Sequence, residues 1–282
     1  IYLRMLWELY GEHLDADENP NVRTGLGLTR FQADGVARME RLLDEHGGVL
    51  VADEVGLGKT FLAGEVIYRT ANLNRQRVLI VAPAALKSSM WEPFLDRHDF
   101  SRWVRVYSYE EVRNKIDTSH QDNYSFMQEI EDYSLVVIDE AHNLRNARAQ
   151  RSNAADRVIT AGSHPKRVVL LTATPVNNSL SDLENLIKYF IRDDARFASA
   201  GIPSIREYIK QAQAIDPANL TPEHLFDLMD QVAVRRTRKF VKEHYADDLI
   251  TGPDGKLMTT KLPQPMVRRI DYDLDAAGLR LI

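Results

Sequence analysis

The residues with the clearest chemical potential lie between Val49 and Thr60, which read VLVADEVGLGKT. A short apolar run, typical of a buried strand, leads into a glycine-containing loop, and a helical pattern follows at once. Backbone N–H groups of such a loop, with the positive end of the helix, bind phosphate oxygens. We therefore predict a triphosphate site, in which Lys59 reaches the β- and γ-phosphates and Thr60 ligates Mg²⁺. The strict phosphate-loop pattern begins with glycine, and that position is Asp53 here.

A second motif delivers two adjacent carboxylates to the end of another apolar run, in the sequence LVVIDEAH from Leu135 to His142. We expect Asp139 to hold Mg²⁺ through water, and Glu140 to orient and deprotonate the attacking water. The alternative is an acidic helix cap, which is common after a strand. The phosphate loop upstream favours the catalytic interpretation.

Two further signals are weaker alone. Thr172 and Thr174 end the run LLTATPVNN and could relay hydrogen bonds beneath the γ-phosphate, or belong to a turn closed by Pro175. Gln32 precedes the phosphate loop and offers both donors and an acceptor, which suits the edge of adenine. An isolated exposed glutamine would have no such role.

The elements that must position these residues follow a strand–helix alternation. Short apolar runs predict strands buried on both faces, at Val49–Ala52, Val78–Ala82, Trp103–Tyr107, Leu135–Ile138 and Val168–Leu171. Helical patterns separate them, the first beginning near Thr29 and ending at Gly47, with others at Phe61–Leu73 and Ala149–Thr160. This order predicts a doubly wound, mostly parallel sheet whose ligands bind at the carboxyl ends of the strands.

The strand pattern stops after about Asp182, which predicts a helical insertion after the third motif. Its helices are expected at Leu183–Ile191, Ile205–Ala214 and Leu225–Lys242, and Met266–Ile270 predicts a returning strand. The expected organisation is an N-terminal extension at 1–28, an ATP-binding lobe at 29–190, a helical protrusion at 191–262, and a final strand with the start of an interlobe linker at 263–282.

Composition narrows the function classes. The chain has 282 residues, no cysteine and a net charge of −5. Disulfides, cysteine-ligated metals and thiol nucleophiles are therefore excluded. No apolar run is long enough to span a membrane, so no membrane partner is expected. The mildly acidic balance argues against nucleic-acid binding through bulk charge and requires any such binding to be local.

The order of the motifs resembles the first motor lobe of the superfamily 2 helicases, and details resemble the Swi/Snf-type ATPases. The segment Asp53 to Thr60 is similar to the phosphate loop of that family, in which Asp replaces the first strict glycine. The DEAHNLRN run from Asp139 and the TATP run from Thr172 match its later motifs. Val55, where Met is commoner, is similar to the bacterial RNA-polymerase-associated branch.

The resemblance implies a RecA-like α/β lobe that binds and hydrolyses ATP with Mg²⁺ in a translocase of double-stranded DNA. It implies nucleotide contacts from Gln32, Asp53, Glu54, Val55, Gly56, Leu57, Gly58, Lys59 and Thr60, metal contacts from Thr60 and Asp139, and coupling through His142, Thr172 and Thr174. The segment Val81–Leu86 with Trp91 resembles the part that touches the DNA backbone. Its usual hydroxyl residue is Ala85 here, which leaves Lys87, Ser88 and Ser89 as candidate DNA contacts.

The implied partners are duplex DNA, a second RecA-like lobe in the full-length chain and other proteins of a larger complex. Without that lobe, which supplies an arginine in the resembled family, this piece is expected to be nearly inactive. The expected location is the bacterial cytoplasm, with the nucleoid, rather than a nucleus. The alternatives are a strand-separating or RNA-directed superfamily 2 helicase, and a nucleotide-dependent scaffold without productive turnover.

The basic run from Arg235 to Lys242 holds five cations in eight residues. It could be a solvated helix face, a DNA contact or a surface that packs against the second lobe.

Overall fold

The predicted apolar runs form neighbouring strands of one parallel sheet. The computed structural model describes residues 25–100, 102–117, 121–146, 149–175, 180–194, 197–198, 201–215, 223–246, 248–251 and 257–259. Five strands follow the prediction closely: β1 (Gly48–Val51), β2 (Arg77–Ala82), β3 (Val104–Ser108), β4 (Tyr133–Ile138) and β5 (Arg167–Leu171). With a short strand β6 (Ala233–Val234), their order across the sheet is β3-β2-β4-β5-β1-β6. The predicted RecA-like α/β fold is confirmed.

Helices follow the strands on both faces of this sheet. Their bounds are α1 (Arg30–His46), α2 (Lys59–Tyr68), α3 (Ala84–Leu86), α4 (Glu92–Arg97), α5 (Tyr109–Asp117), α6 (Gln121–Glu131), α7 (Gln150–Thr160), α8 (Ser181–Ile187), α9 (Ile205–Ala214), α10 (Glu223–Val232) and α11 (Arg238–His244). A π-helical turn at Arg69–Leu73 extends α2, and another at Lys87–Trp91 joins α3 to α4. No helix among the described residues is long and apolar enough to cross a membrane.

Apart from β3, the long strands are buried on both faces because alternate side chains enter two separate cores. β3 lies at the edge of the sheet and exposes Arg105, so the prediction that this strand is buried on both faces was wrong. Leu50, Val136 and Leu170 pack into one cluster with α5, α6 and α7. Val51 and Val137 pack into the other, with α1 and α2. Parallel strands with both faces covered have nearly continuous apolar sequences, and the apolar runs therefore predicted their positions.

The prediction that the insertion after Asp182 is helical up to residue 262 was wrong, because it also contains short strands. Ala233 and Val234 pair in parallel with Leu50 and Val51, and so complete the edge of the sheet beyond β1. Two more short strands, β7 (Leu249–Thr251) and β8 (Leu257–Thr259), pair antiparallel with each other. Strands of two or three residues are too short to produce a periodic signal.

The single helix expected at Leu225–Lys242 was also wrong, because the chain leaves the helix to join the sheet. Helix α10 ends at Val232, and α11 begins only at Arg238, where Oγ1 of Thr237 accepts a hydrogen bond from the backbone N–H of Phe240 at 3.0 Å. Helix α8 is shorter than predicted and ends at Ile187. The expected strand at Met266–Ile270 and most of the N-terminal extension at 1–28 lie outside the described residues.

Candidate active site

Four strands end at the same edge of the sheet, and a chemically distinctive segment follows each of them. The phosphate loop follows β1, the acidic pair follows β4, the threonine motif follows β5, and the first part of the basic run follows β6. Parallel strands present their carboxyl ends together, so these segments converge. Sequence reasoning anticipated the first three.

The phosphate loop is held in a turn that requires glycine. Gly56 and Gly58 have φ angles of +85° and +83°, in the left-handed region that favours glycine. Helix α2 begins directly after Gly58, which has no side chain to cap the first amides. Nζ of Lys59 donates a hydrogen bond to the carbonyl oxygen of Asp53 at 2.8 Å, so the lysine folds back across the loop. The arrangement has the shape of an anion-binding cradle.

Lys59 and the acidic pair lie within electrostatic reach of one another. Burial lowers the pKa of Lys59 below its usual value, while the carboxylates of Asp53, Glu140, Asp139 and Glu54 act in the opposite direction. The cation predicted to face phosphate and the carboxylates predicted to hold metal and water therefore share one site.

Asp139 is buried and its carboxylate is fixed by two donors. The indole Nε1–H of Trp91 donates to Oδ2 at 2.9 Å, and the backbone N–H of Glu140 donates to Oδ1 at 2.8 Å. Burial raises the pKa of Asp139, although both hydrogen bonds favour the charged form. The hydroxyl of Tyr109 donates to the carbonyl oxygen of Asp139 at 2.7 Å.

Glu140 has a left-handed backbone, with φ 50° and ψ 48°. This conformation is costly for a residue with a Cβ and persists only where surrounding contacts impose it. Oε2 of Glu140 lies 2.9 Å from Nδ1 of His142, and a 3₁₀ turn at Ala141–Leu144 follows. The strained turn separates the side chain of Glu140 from that of Asp139 and gives the adjacent carboxylates different surroundings.

Arg145, the arginine of the DEAHNLRN run, joins the second and third motifs. Arg145 donates through Nε to the carbonyl oxygen of His142 at 3.0 Å and through Nη2 to the hydroxyl of Thr174 at 3.4 Å. Its Nη1 lies 3.5 Å from the carboxylate of Asp182. Thr172 is buried, and its Oγ1 accepts a hydrogen bond from the backbone N–H of Thr174 at 3.2 Å. A chain of hydrogen bonds therefore connects the residues predicted to couple hydrolysis to movement.

Gln32 lies against the phosphate loop. Its Oε1 accepts a hydrogen bond from the backbone N–H of Thr29 at 3.2 Å, and its Nε2 donates to the carbonyl oxygen of Leu57 at 3.4 Å. The side chain thus links the start of α1 to the loop, and its predicted contact with adenine stays a prediction.

The predicted DNA contacts lie on the helical segment after β2. Nζ of Lys87 donates to both carboxylate oxygens of Glu111, at 2.8 and 2.9 Å. Ser88 and Ser89 are exposed, and Oγ of Ser89 donates to the carbonyl oxygen of Ala85 at 2.6 Å. The same segment reaches the nucleotide site through its last turn, where Trp91 bonds Asp139.

Thr60, the other predicted metal ligand, contacts this segment as well. Its hydroxyl donates to the sulfur of Met90 at 3.4 Å.

The structure divides the basic run into two parts. Lys239 and Lys242 are exposed on α11, as in a solvated helix face, whereas the two arginines before that helix are not. Arg235 and Arg236 are buried, only 3% and 4% exposed, and they precede α11 in the stretch after β6. Arg236 forms an ion pair with Asp53 of the phosphate loop. Neither DNA contact nor packing against a second lobe accounts for a guanidinium enclosed in this way. Asp53, at a position where the strict pattern has glycine, was the one local signal that a buried cation faces the loop.

Comparisons with known proteins agree with the class that the fold and site define, a parallel α/β nucleotide-binding lobe. The profile of the SNF2-related domain matches residues 99–248, more than half of the chain. The chain therefore belongs to the SNF2-related domain family, and the Swi/Snf-type resemblance is confirmed.

Individual relatives match with lower coverage. An ATP-dependent helicase of Bacillus subtilis, YqhH, is 28% identical over 201 residues, covering 68% of this chain and 34% of that protein. The RNA polymerase-associated protein RapA of Vibrio vulnificus is 30% identical over 178 residues, covering 53% and 18%. The SWI2/SNF2 ATPase core of Sulfolobus solfataricus, solved in complex with double-stranded DNA, has a TM-score of 0.57 at 20% identity, covering 79% of this chain and 46% of that one. The chain thus spans about a third or less of the length of these two sequence relatives.

Proposed function

We propose that this chain is the N-terminal motor lobe that binds and hydrolyses ATP in a Swi/Snf-type translocase of double-stranded DNA. The observation that carries the proposal is the convergence of Lys59, Asp139 and Glu140 at the carboxyl edge of the sheet, where both carboxylates act on the pKa of the lysine. A cation beside a phosphate cradle, with two carboxylates in differing surroundings, is the set of groups that phosphoryl transfer to water requires.

Each residue of the proposed site has a distinct task. The ammonium of Lys59 would release the Asp53 carbonyl and bind the β- and γ-phosphates, beside the loop residues Asp53–Gly58. The carboxylate of Glu140 would take the proton of the attacking water, while His142 contacts Oε2 of that carboxylate. The His142–Arg145–Thr174 contacts would carry the change at the γ-phosphate towards helix α8.

The oxygens of Thr60 and Asp139 fit Mg²⁺, a hard cation that prefers carboxylate, hydroxyl and water oxygens. When bound, the ion would neutralise charge on the phosphates. Trp91 holds the Asp139 carboxylate in one orientation, and burial makes its unpaired charge unfavourable. Both features suit a carboxylate whose charge a divalent cation compensates.

The proposed partner is duplex DNA, bound through its phosphates near Lys87, Ser88 and Ser89. The likeness of the fold to a SWI2/SNF2 core solved with double-stranded DNA supports this proposal. Because the net charge is −5, the contact must be local and independent of base sequence. A second RecA-like lobe and other proteins of a larger complex complete the proposed assembly.

We also propose the bounds 29–190 for the ATP-binding lobe, 191–262 for the helical protrusion and 263–282 for the last strand and linker. The proposed location is the bacterial cytoplasm, at the nucleoid, which the bacterial relatives YqhH and RapA support. Fractionation of cells that express a tagged full-length protein tests the location.

The experiment that tests the proposal measures ATP turnover by the full-length protein with duplex DNA, single-stranded DNA, RNA or no nucleic acid. We expect duplex DNA to give the largest stimulation. Lys59→Ala should lower the turnover at least about a hundredfold, since roughly 3 kcal/mol of transition-state stabilisation is lost with the cation. Greater stimulation by single strands or RNA would favour a strand-separating or RNA-directed enzyme, and no turnover under any condition would favour a scaffold.

A further inference from the structure

We infer that the segment after α10, residues 233–238, which ends with the first residue of α11, holds the phosphate loop in its nucleotide-binding shape, with Arg236 and Arg238 as positioning residues for ATP. This return segment, as we name it, arrives at the site after the helical insertion, about 180 residues downstream of the loop. The inference rests on the proposed function, because it assigns a role in binding the same nucleotide.

Arg236 donates several hydrogen bonds to the carboxylate of Asp53, the first residue of the loop. Its backbone N–H donates to Oδ1 of Asp53 at 2.8 Å, its Nε–H donates to the same oxygen at 3.2 Å, and its Nη2 bonds Oδ2. The two side chains are 4% and 0% exposed. A bidentate pair enclosed in this way is rigid, since neither partner can exchange its contacts for water.

Contacts with helix α1 hold the guanidinium of Arg236 in one orientation. Its Nη1 donates to the carbonyl oxygen of Phe31 in α1, and its guanidinium lies 5.2 Å from the centre of the Phe31 ring. Residue 35 is glycine, and a Cβ there would lie 2.5 Å from Nη1. Arg236 therefore fixes the loop to β6 and to helix α1, which carries Gln32.

The next two loop residues are held by the same segment. The backbone N–H of Glu54 donates to the carbonyl oxygen of Arg236 at 3.1 Å, and the carboxylate of Glu54 accepts a hydrogen bond from the backbone N–H of Arg238 at 2.6 Å. The side chain of Arg238 donates to the carbonyl oxygen of Val55 through Nε at 3.1 Å and Nη2 at 2.7 Å. Three consecutive residues of the loop are thus bonded to one short segment.

These contacts matter for ATP because the loop would otherwise have many conformations. Two of its residues, Gly56 and Gly58, are free to adopt either sign of φ, and ordering them on binding would cost entropy. Arg236 bonds the carboxylate of Asp53, and Lys59 bonds its carbonyl oxygen. The loop is therefore ordered before the nucleotide binds. Loss of the hydrogen bonds from Arg236 or Arg238 should therefore weaken binding of the ground state and the transition state alike, and raise the KM for ATP more than it lowers kcat.

The first test uses Arg238→Ala in the full-length protein. Arg238 is only partly buried, so the variant should fold, and Lys239→Ala removes an equal charge from an exposed neighbour as the control. We expect the dissociation constant for a fluorescent ATP analogue and the KM for ATP to rise about tenfold in Arg238→Ala, with kcat changed less than about threefold. The Lys239→Ala values should equal those of the wild type. Equal KM values in both variants would overturn the inference for Arg238.

The second test addresses the buried pair. Arg236→Lys keeps the charge but loses the planar fork, and should raise the KM for ATP about 10- to 100-fold. The neutral double variant Asp53→Asn/Arg236→Gln avoids an unpaired buried charge and keeps the test valid if the single variant fails to fold. Arg77→Gln is the control, because Arg77 lies at the start of β2 and pairs with Glu129 and Asp132, away from both the return segment and the loop.

The outcomes separate the inference from the proposed function. One outcome would show that the inference is wrong: the wild type binds ATP, Lys59→Ala loses binding, and the Arg236 variants bind as tightly as Arg77→Gln. The return segment would then have only a structural role. If the wild type and Lys59→Ala fail equally to bind ATP, the proposed function itself is wrong. A KM for ATP that rises in Arg77→Gln as much as in the Arg236 variants, in proportion to the loss of thermal stability, also counts against the inference.

Discussion

Replacement of Trp91 by phenylalanine is a sharp perturbation of the acidic site. Trp91 is fully buried, and its ring packs edge-on against that of Phe94, with centroids 6.0 Å apart. Its indole N–H is one of two donors to the Asp139 carboxylate. Phenylalanine keeps an aromatic ring in the core and removes the donor, so the change acts mainly on the orientation and charge of Asp139.

The magnitude follows from the lost hydrogen bond and the smaller ring. A hydrogen bond to a charged group contributes about 1.5–3 kcal/mol, and the gap left by the smaller ring costs about 1 kcal/mol more. The free energy of unfolding should therefore fall by about 2.5–4 kcal/mol, which corresponds to a fall in Tm of about 5–15 °C. The lower end of the hydrogen-bond range, about 1.5 kcal/mol, corresponds to about a tenfold change in an equilibrium constant, so the Mg²⁺ concentration for half-maximal turnover should rise at least about tenfold.

The assay follows ATP turnover by the full-length protein against Mg²⁺ concentration, with thermal unfolding measured in parallel. Trp103→Phe is the matched control, because Trp103 packs against the same core cluster and lies outside the acidic site. The control should lose some stability and keep the Mg²⁺ dependence of the wild type. An unchanged Mg²⁺ dependence in Trp91→Phe would refute the argument that the indole positions a metal-binding carboxylate.

Three further changes test other parts of the site. Glu140→Gln should keep ATP bound within about threefold and reduce turnover by about 10²–10⁴, because the amide cannot take a proton from water; normal turnover would mean that the carboxylate is only a helix cap. Gly58→Ala should weaken ATP binding more than Gly47→Ala. Both glycines have positive φ angles, +83° and +75°, but only a Cβ at residue 58 would lie 2.5 Å from a glutamine amide. Equal dissociation constants for ATP in the two variants would mean that backbone strain alone matters. Glu111→Gln should remove the shorter of two ion pairs of Lys87, which keeps Glu92 at 3.9 Å, and so strengthen duplex binding about equally on all sequences, with the salt slope steeper by up to about 1. Anisotropy titrations at several salt concentrations that show no change would contradict this.

Much of the fold could be predicted because its signals are local. Most of the long strands are nearly continuous apolar runs, since helices cover both faces of a parallel sheet, whereas the edge strand β3 is interrupted by the exposed Arg105. The segments with chemical character follow those runs directly. Once the strands were assigned as parallel, the convergence of Lys59 with Asp139 and Glu140 at one edge followed from topology.

The tertiary structure alone decided which residues surround those motifs. Ala233 and Val234 become a strand only because β1 offers an open edge, and nothing in a two-residue pattern indicates it. Arg236 belongs to a run that looks like a solvated helix, yet it is buried against Asp53, 183 positions away. Such a pairing has no periodicity to detect, because burial of the guanidinium depends on a carboxylate supplied by another part of the chain. The left-handed backbone of Glu140 likewise depends on contacts such as that of Tyr109, which lies 31 positions earlier.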